Sequence, residues 1–360
     1  MHLFVERCRY VHALIVGPLV GVLVTMLVAA PLAAQYPLAP TSVLDVGHLT
    51  AAPSFGAYLA ARQTVQQDTA TFTISRARVK VEALPMPSLA LRVEGGMSNN
   101  TVGTGSGSSG SFEFADVFAQ FAPVDGRMVR MLRPALIVGQ FKMPFSLEYL
   151  TGYSHLLTIE RSQAVDQLSI KRDIGAMGQV HLTRFLTVNA AVANGSGANA
   201  TNNTNGRESA MARVTLTPLP QLELSGKVAD DGADHRWGYD ARVIAGAAIV
   251  EGEVVHRTHD VDAGTSDATG GYALAAYKVR AWLQPVVKWE QLHETTPVAS
   301  SPGSPVVPPA MLDARSTWTT VGVNIDAPLD RLRLQLDWIV KSAHPVDQPD
   351  ELLAQFVAVF

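Results

Sequence analysis

The segment RLRLQLDWIVK, residues 331–341, alternates between polar and apolar side chains. One face carries Leu332, Leu334, Leu336, Trp338 and Val340. The other face carries Arg331, Arg333, Gln335, Asp337 and Lys341. Successive side chains of a β-strand point to opposite sides, so this period of two predicts a strand with one apolar and one polar face.

The same alternation recurs along most of the chain in segments of about ten residues, the length of a membrane-crossing strand. Residues 76–82 place Arg76, Arg78, Lys80 and Glu82 opposite Ala77, Val79 and Val81. Beyond the N-terminus, no apolar run approaches the ~18 residues that a membrane helix needs, although mean hydropathy is +0.14. Two explanations account for a positive mean hydropathy without a long apolar run: a dry core, or strands that contact lipid with alternate residues.

The connections between these segments favour the membrane. Short turns are expected at 84–87, 123–133, 218–220 and 327–330, with tight ones near Arg184, Ala247 and Leu283. Longer Gly-, Ser-, Asn- or Pro-rich loops are expected at 66–71, 99–111, 142–172, 194–207, 230–236, 258–270, 295–315 and 342–351. Short turns at one rim and long loops at the other are typical of a transmembrane barrel, with the short turns on the periplasmic side.

The strand count follows from this alternation of connectors. About fifteen strands lie between Phe72 and Phe360, and an even number needs one more, for which residues 54–65 are the candidate. We therefore predict an all-β fold, an antiparallel barrel of about 16 strands over residues 54–360, with 14 to 18 possible. Its last strand alternates Leu352, Phe356 and Phe360 on one face, and ends on an aromatic residue as such barrels commonly do.

The N-terminus has the pattern of a secretory signal. Arg7 and Arg9 precede an apolar stretch over 13–30, and small residues follow up to Ala34. Residues 1–34 are thus predicted to be a signal peptide cleaved near Ala34, with 35–53 as a short periplasmic segment. The alternative is an uncleaved membrane anchor, which the prolines at 18 and 31 disfavour.

Composition excludes several classes of function. Only one cysteine, Cys8, is present, so the mature chain would have no disulfide or thiolate metal site. Without residues 1–34, 26 Lys and Arg face 31 Asp and Glu, and this acidic balance disfavours nucleic-acid binding. No catalytic motif, cofactor motif or metal site is indicated; His256 and His259 lack a third ligand with suitable spacing.

Three motifs resemble the phosphate-selective porin O and P family. They are VGQFKMPFS followed by LEYLT (138–151), then IERS (159–162) and RDIG (172–175); SRARV (75–79) also looks like the family's Arg-rich strand. The resemblance implies a homotrimeric outer-membrane porin of a Gram-negative cell. It would pass small hydrophilic solutes, with anion or phosphate preference in some members, through a pore narrowed by an inward-folding third loop at 142–172.

Several charged residues are candidates for the pore lining or the constriction. They are Arg76, Arg78, Lys80, Lys142, Glu160, Arg161, Lys171, Arg172 and Asp173. They could steer anions, or they could simply solvate a polar lumen and pin the loop through ion pairs. Acidic residues such as Glu251 and Glu253 share a face with Arg257, which disfavours a phosphate-specific ladder. Two further hypotheses remain at this point: a non-conducting barrel acting as adhesin or surface scaffold, and a soluble secreted all-β binding protein.

Overall fold

In the computed structural model, the described residues are 41–98, 112–200, 203, 206–261, 264–298, 310–327 and 331–360. The expected signal peptide and the expected loop at 99–111 lie outside them. The described chain forms sixteen strands: β1 Ser54–Gln66, β2 Thr69–Met86, β3 Leu89–Ser98, β4 Phe112–Phe121, β5 Ala135–Lys142, β6 Arg172–Thr183, β7 Leu186–Ala193, β8 Ser209–Leu219, β9 Leu222–Asp230, β10 Asp234–Ala245, β11 Ala248–Val261, β12 Gly264–Tyr277, β13 Leu283–Val298, β14 Ala310–Asp326, β15 Leu332–His344 and β16 Glu351–Val359.

The strands make one closed antiparallel barrel in which each strand pairs with its neighbours in sequence. Closure comes from β1 and β16, whose register runs from Tyr58↔Val359 to Gln66↔Glu351. Phe360 extends this ladder, since its N–H donates to Ala57 O at 2.8 Å. The predicted sixteen strands, including the first one, are confirmed.

The barrel is polar inside and apolar outside. On β15 the outward side chains of Leu336 and Trp338 are 37% and 53% exposed, whereas the inward Gln335 and Asp337 are each 1% exposed. A water-soluble domain buries the apolar set and exposes the polar set. The reversed arrangement suits a barrel whose outer surface meets lipid, so the soluble all-β alternative is not supported.

Two of the expected long loops are mostly strand. β9 and β10 are separated by three residues, and β11 and β12 by two, so the loops expected at 230–236 and 258–270 were wrong in extent. Pairs such as Thr258↔Asp267 and His259↔Ser266 continue the hairpin with polar residues. Polar composition had suggested loops here, but β-branched and polar residues also form a hairpin when both of its faces meet water.

Short helices occupy two of the connections. α1, Arg127–Leu132, lies in the turn between β4 and β5. α2, Leu147–Leu150, and α3, Gln163–Leu168, belong to the connection between β5 and β6, which we call loop 3 (residues 143–171). Among the described residues, no helix is long and apolar enough to cross a membrane.

Candidate functional site

Loop 3 begins each of its helices with a serine cap. Ser146 accepts a hydrogen bond from Tyr149 N at 3.1 Å, and Ser162 accepts one from Val165 N at 3.1 Å. Such caps satisfy amide groups that the first turn of a helix leaves free. They allow loop 3 to place two compact turns inside the barrel, where an unpaired amide would be costly.

Carboxylates of the barrel wall hold loop 3 by its backbone and its caps. Glu253 on β11 accepts from Ser146 Oγ at 2.9 Å, and Glu290 on β13 accepts from Gln163 N at 2.6 Å. Asp337 on β15 accepts from Ile159 N at 2.6 Å. Hydrogen bonds to ionised acceptors are stronger than hydrogen bonds between neutral groups. Three strands on one side of the barrel therefore hold the loop firmly at three points.

Apolar contacts fill the space between loop 3 and the same wall. Tyr149, Leu157 and Val165 of the loop form a buried cluster with side chains of β10 to β13. The wall members of this cluster are Ile244, Ile249, Tyr272, Leu274, Ala276 and Val286. This side of the lumen is thus packed like a protein core.

Two cavities lie beside loop 3 and meet at Arg172, and we call them the outer and the inner vestibule. The outer vestibule is a cavity of about 320 Å³ near the long-loop rim. The inner vestibule, about 350 Å³, extends to the short-turn rim and is lined by strands β1 to β6 and by loop 3. Arg172 lines both cavities, so it stands at their junction.

The junction is a small hydrogen-bonded group. Arg172 Nε donates to Asp116 Oδ1 at 2.6 Å, and Arg172 Nη1 donates to the hydroxyl of Tyr149 at 3.2 Å. Arg172 and Asp116 are 7% and 3% exposed. The guanidinium is therefore fixed by one partner on β4 and one on loop 3.

Basic and acidic side chains are paired along the inner vestibule. Arg78 lies 3.1 Å from Glu94, Lys80 lies 3.0 Å from Glu82, and Arg92 lies 3.7 Å from Asp116. Among the lining side chains, Arg78, Lys80, Arg92 and Arg172 outnumber the two carboxylates, Glu94 and Asp116, before Lys142 is counted. The inner vestibule has an excess of positive charge, although most of its cations have an acidic neighbour.

Tyr153 of loop 3 faces two further cations. The guanidinium carbons of Arg76 and Arg161 lie 3.0 Å and 3.8 Å from the ring centroid of Tyr153. Arg161 Nε donates to Glu148 O at 3.1 Å, and Lys142 Nζ donates to Leu150 O at 3.0 Å. Cation–π and carbonyl contacts of this kind join β2 and β5 to the free side of loop 3.

Glu148, on loop 3 itself, is a buried acid in a crowded site. Its carboxylate accepts from Ser162 N at 2.8 Å and lies 3.9 Å from Lys288. Burial raises the pKa of Glu148 to about 7, while Lys288 and the Ser162 amide act in the opposite direction.

The nine residues expected to line the pore fall into two groups. Arg78, Lys80 and Lys142 line the inner vestibule, Lys171 and Asp173 line the outer one, and Arg172 lines both. The other three contact loop 3 or the wall: Arg76 stacks on Tyr153, Arg161 bonds loop carbonyls, and Glu160 pairs with Arg62. Six of the nine side chains thus line a vestibule, and three make contacts within loop 3 or between loop 3 and the wall.

Sequence reasoning missed the residues that complete the site. Asp116, Tyr149 and Arg92 stand around the junction, and Lys227 with Asp240 lies beneath loop 3. Arg92 and Glu94 share one face of an alternating strand, so their lumen position was available from the pattern. The position of Asp116 beside Arg172 depends on strand register and could not be read from the chain.

The described chain forms a closed sixteen-strand barrel with a polar lumen and an apolar exterior, and an internal loop lies beside a charged passage. This is the architecture of an outer-membrane porin. The protein is an outer-membrane channel for passive diffusion. Residues 54–223 match the family described as phosphate-selective porin O and P, which confirms the resemblance carried by the three motifs.

Solved structures show the same fold at low sequence identity. The outer membrane channel DcaP of Acinetobacter baumannii superposes with a TM-score of 0.61 at 10% identity, covering 86% of this chain and 97% of that one. OmpT of Vibrio cholerae, in-vitro folded and in trimer form, gives 0.60 at 14% identity over 86% and 99%. OmpF of Salmonella typhi, in complex with daunomycin, gives 0.59 at 10% identity over 86% and 97%. No curated protein matches the chain in sequence.

Proposed function

We propose that small hydrophilic solutes cross this porin through the outer vestibule, past Arg172, into the inner vestibule. The observation that carries this path is that Arg172 lines both cavities while loop 3 is packed against side chains of β10 to β13. A solute on this path passes the Arg172–Asp116–Tyr149 group, which makes that group the expected point of selection.

The charges along the path support a weak preference for anions. The outer vestibule is mixed, with Asp173, Asp230, Asp231 and Asp234 beside Lys171, Arg172 and Arg236. The inner vestibule has more basic than acidic side chains. A fixed positive excess lowers the barrier for small anions.

The same pairing argues against a dedicated phosphate site. Arg172 already binds Asp116, and Arg78 already lies beside Glu94. Phosphate would have to compete with a carboxylate that is permanently present at high local concentration. The proposed activity is therefore general diffusion with modest anion preference rather than phosphate capture.

The test is single-channel recording of the refolded mature protein in planar bilayers. Reversal potentials in a KCl gradient should favour chloride modestly, and added phosphate should block little. Arg172→Gln should reduce the anion preference, whereas Lys171→Gln, which alters the half-exposed partner of Asp166 in the outer vestibule, should leave it nearly unchanged.

Three outcomes would change the conclusion. Strong block by phosphate that disappears in Arg172→Gln would establish phosphate selectivity. Equal changes of the anion preference in Arg172→Gln and Lys171→Gln would show that Arg172 is not the point of selection. A correctly folded barrel with no conductance would instead indicate a surface scaffold or adhesin.

The mature form is proposed to be a homotrimer in the outer membrane, starting near Gln35 after signal cleavage at Ala34. The family resemblance supports the trimer, and the solved OmpT is described in a trimer form. Chemical crosslinking of the membrane-extracted protein should give a three-subunit band, and N-terminal sequencing of that protein should begin at Gln35.

A further inference from the structure

The segment 41–50, which precedes the first strand, lies against the wall of the lumen. We call it the N-terminal strap. Its middle contains a short 3-10 turn, Val46–His48, capped by Asp45, whose carboxylate accepts from Gly47 N at 2.9 Å. The sequence pattern predicts no strand, helix or motif here, and residues 35–53 were predicted to be a short periplasmic segment.

The strap is bonded to the lumen wall through a reciprocal amide contact. Leu44 N donates to Gln120 Oε1 at 2.6 Å, and Gln120 Nε2 donates back to Leu44 O at 3.0 Å. The side-chain amide of Gln120 thereby satisfies both polar groups of one peptide position, as a neighbouring strand would do. Gln120 is 1% exposed, so water could not replace this partner without disrupting the site.

Additional contacts fix the strap along its length. Ser42 Oγ donates to Lys142 O, and Thr41 Oγ1 donates to Gln179 Oε1 at 3.3 Å. At the other end, Leu84 N donates to Thr50 O at 2.7 Å. The strap is therefore attached to β2, β4, β5 and β6.

An apolar anchor accompanies these hydrogen bonds. Leu44 is 8% exposed and belongs to a buried cluster with Phe118 and Ile137, which are 5% and 0% exposed. Phe118 and Ile137 are apolar side chains that point into the lumen, where a porin normally presents polar groups to water. The strap covers this apolar patch, and the burial of apolar surface stabilises the strap against the wall.

The position of the strap places it on the solute path. Thr41 and Ser42 line the inner vestibule together with Arg78 and Lys142. We infer that the strap is a second constriction element: it narrows the inner vestibule from the β4–β6 side while loop 3 limits it from the other side. In this role it sets the size limit for solutes leaving toward the short-turn rim.

This inference rests on the proposed channel function, and the experiment separates the two. Thr41 is exposed and lines the cavity, so Thr41→Cys should react with a charged methanethiosulfonate reagent in the refolded protein without residues 1–34, which has no other cysteine. If the strap lines the path, each labelled channel shows a stepwise loss of conductance. Asp68→Cys is the matched control, because Asp68 is exposed in the turn between β1 and β2 at the opposite rim and its labelling should not change conductance.

A second variant releases the strap. Leu44→Asp places a carboxylate in the apolar cluster, so the strap should leave the wall, and conductance and the uptake of larger sugars in liposome swelling should rise. Leu44→Met, which conserves volume, should behave as the wild type.

The outcomes are distinct. A wild-type protein that conducts, together with fully labelled Thr41→Cys channels of unchanged conductance, overturns the strap inference but leaves the porin function intact. A folded wild-type barrel without conductance overturns the porin function itself. If Leu44→Asp does not refold, the Thr41→Cys measurement still decides.

Discussion

Lys227 supplies the sharpest test of how loop 3 is held. Its ammonium lies 2.8 Å from Asp240 Oδ2 and also pairs with Glu253, and all three side chains are 0% exposed. Glu253 in turn accepts the Ser146 hydroxyl of loop 3. Lys227→Met removes the cation while keeping a side chain of similar length, so a buried negative charge is left beneath the loop.

The loss of stability in Lys227→Met depends on which partners Asp240 and Glu253 keep. Removing one member of a buried ion pair costs about 3–5 kcal/mol, because the partner keeps its desolvation penalty. Asp240 retains two bonds of 2.8 Å from Arg213, so only Glu253 loses its cation. We therefore expect the lower end, about 3 kcal/mol, or roughly a hundredfold in the unfolding equilibrium.

The assay is equilibrium unfolding in urea of the refolded protein in lipid vesicles, followed by tryptophan fluorescence. Lys171→Met is the matched control: it also breaks a Lys–Asp pair at 2.7 Å, but the two side chains are 44% and 58% exposed. Exposed pairs contribute about 0–1 kcal/mol, so this variant should unfold almost as the wild type does.

A third variant separates the lost bond from the stranded charge. Adding Glu253→Gln to Lys227→Met removes the unpaired charge while an amide oxygen can still accept from Ser146, so much of the stability should return. The reasoning is refuted if Lys227→Met lies within about 1 kcal/mol of the wild type, or if the double variant is no more stable than the single one.

Three other predictions concern the backbone, the loop and the chain end. Gly139 has φ +131°, and a Cβ at this position would lie 2.3 Å from Val117 O. Gly139→Ala should therefore lower the free energy of unfolding by about 2 kcal/mol. Gly226 has open space around it, so Gly226→Ala is the control and should lower the free energy of unfolding much less. Burial raises the pKa of Glu148 from 4.5 to about 7, so the folded state binds this proton more tightly than the unfolded state does. The contribution of Glu148 to stability is fully present below pH 4.5 and is lost as pH rises through 7, by up to about 3 kcal/mol. Glu148→Gln should remove this contribution, so the fall in stability between pH 5 and pH 8 in the urea assay should be smaller than in the wild type. The Phe360 side chain is 72% exposed, so Phe360→Ala should change the free energy of unfolding of the refolded protein in the urea assay by no more than about 0.5 kcal/mol.

The barrel itself was available from the sequence because its determinants are local. Alternation over residues 331–341 identified both faces of β15, and the structure exposes the same leucines and Trp338 that the pattern assigned to lipid. Connector lengths then ordered the strands, since antiparallel neighbours need only a turn. The errors at 230–236 and 258–270 arose where polar residues continue a hairpin, because composition does not distinguish a solvated strand from a loop.

The charged candidates were partly available for the same reason. Period two placed Arg78 and Lys80 on the polar face, and both line the inner vestibule. Which charges line the passage and which hold loop 3 was not determined locally. Glu160 meets Arg62 across 98 positions of sequence, and Ile159 N meets Asp337 across 178.

The sequence by itself thus determined a porin barrel, its rims and its polar lumen, because alternation and turn chemistry act between residues close in the chain. Only the tertiary structure decided where the passage runs. Packing of loop 3 on Glu253, Glu290 and Asp337 closes one side, and the contact of Leu44 with Gln120 brings the N-terminal strap onto the other. Such contacts join distant segments through barrel register and side-chain reach, which no local pattern in the chain encodes.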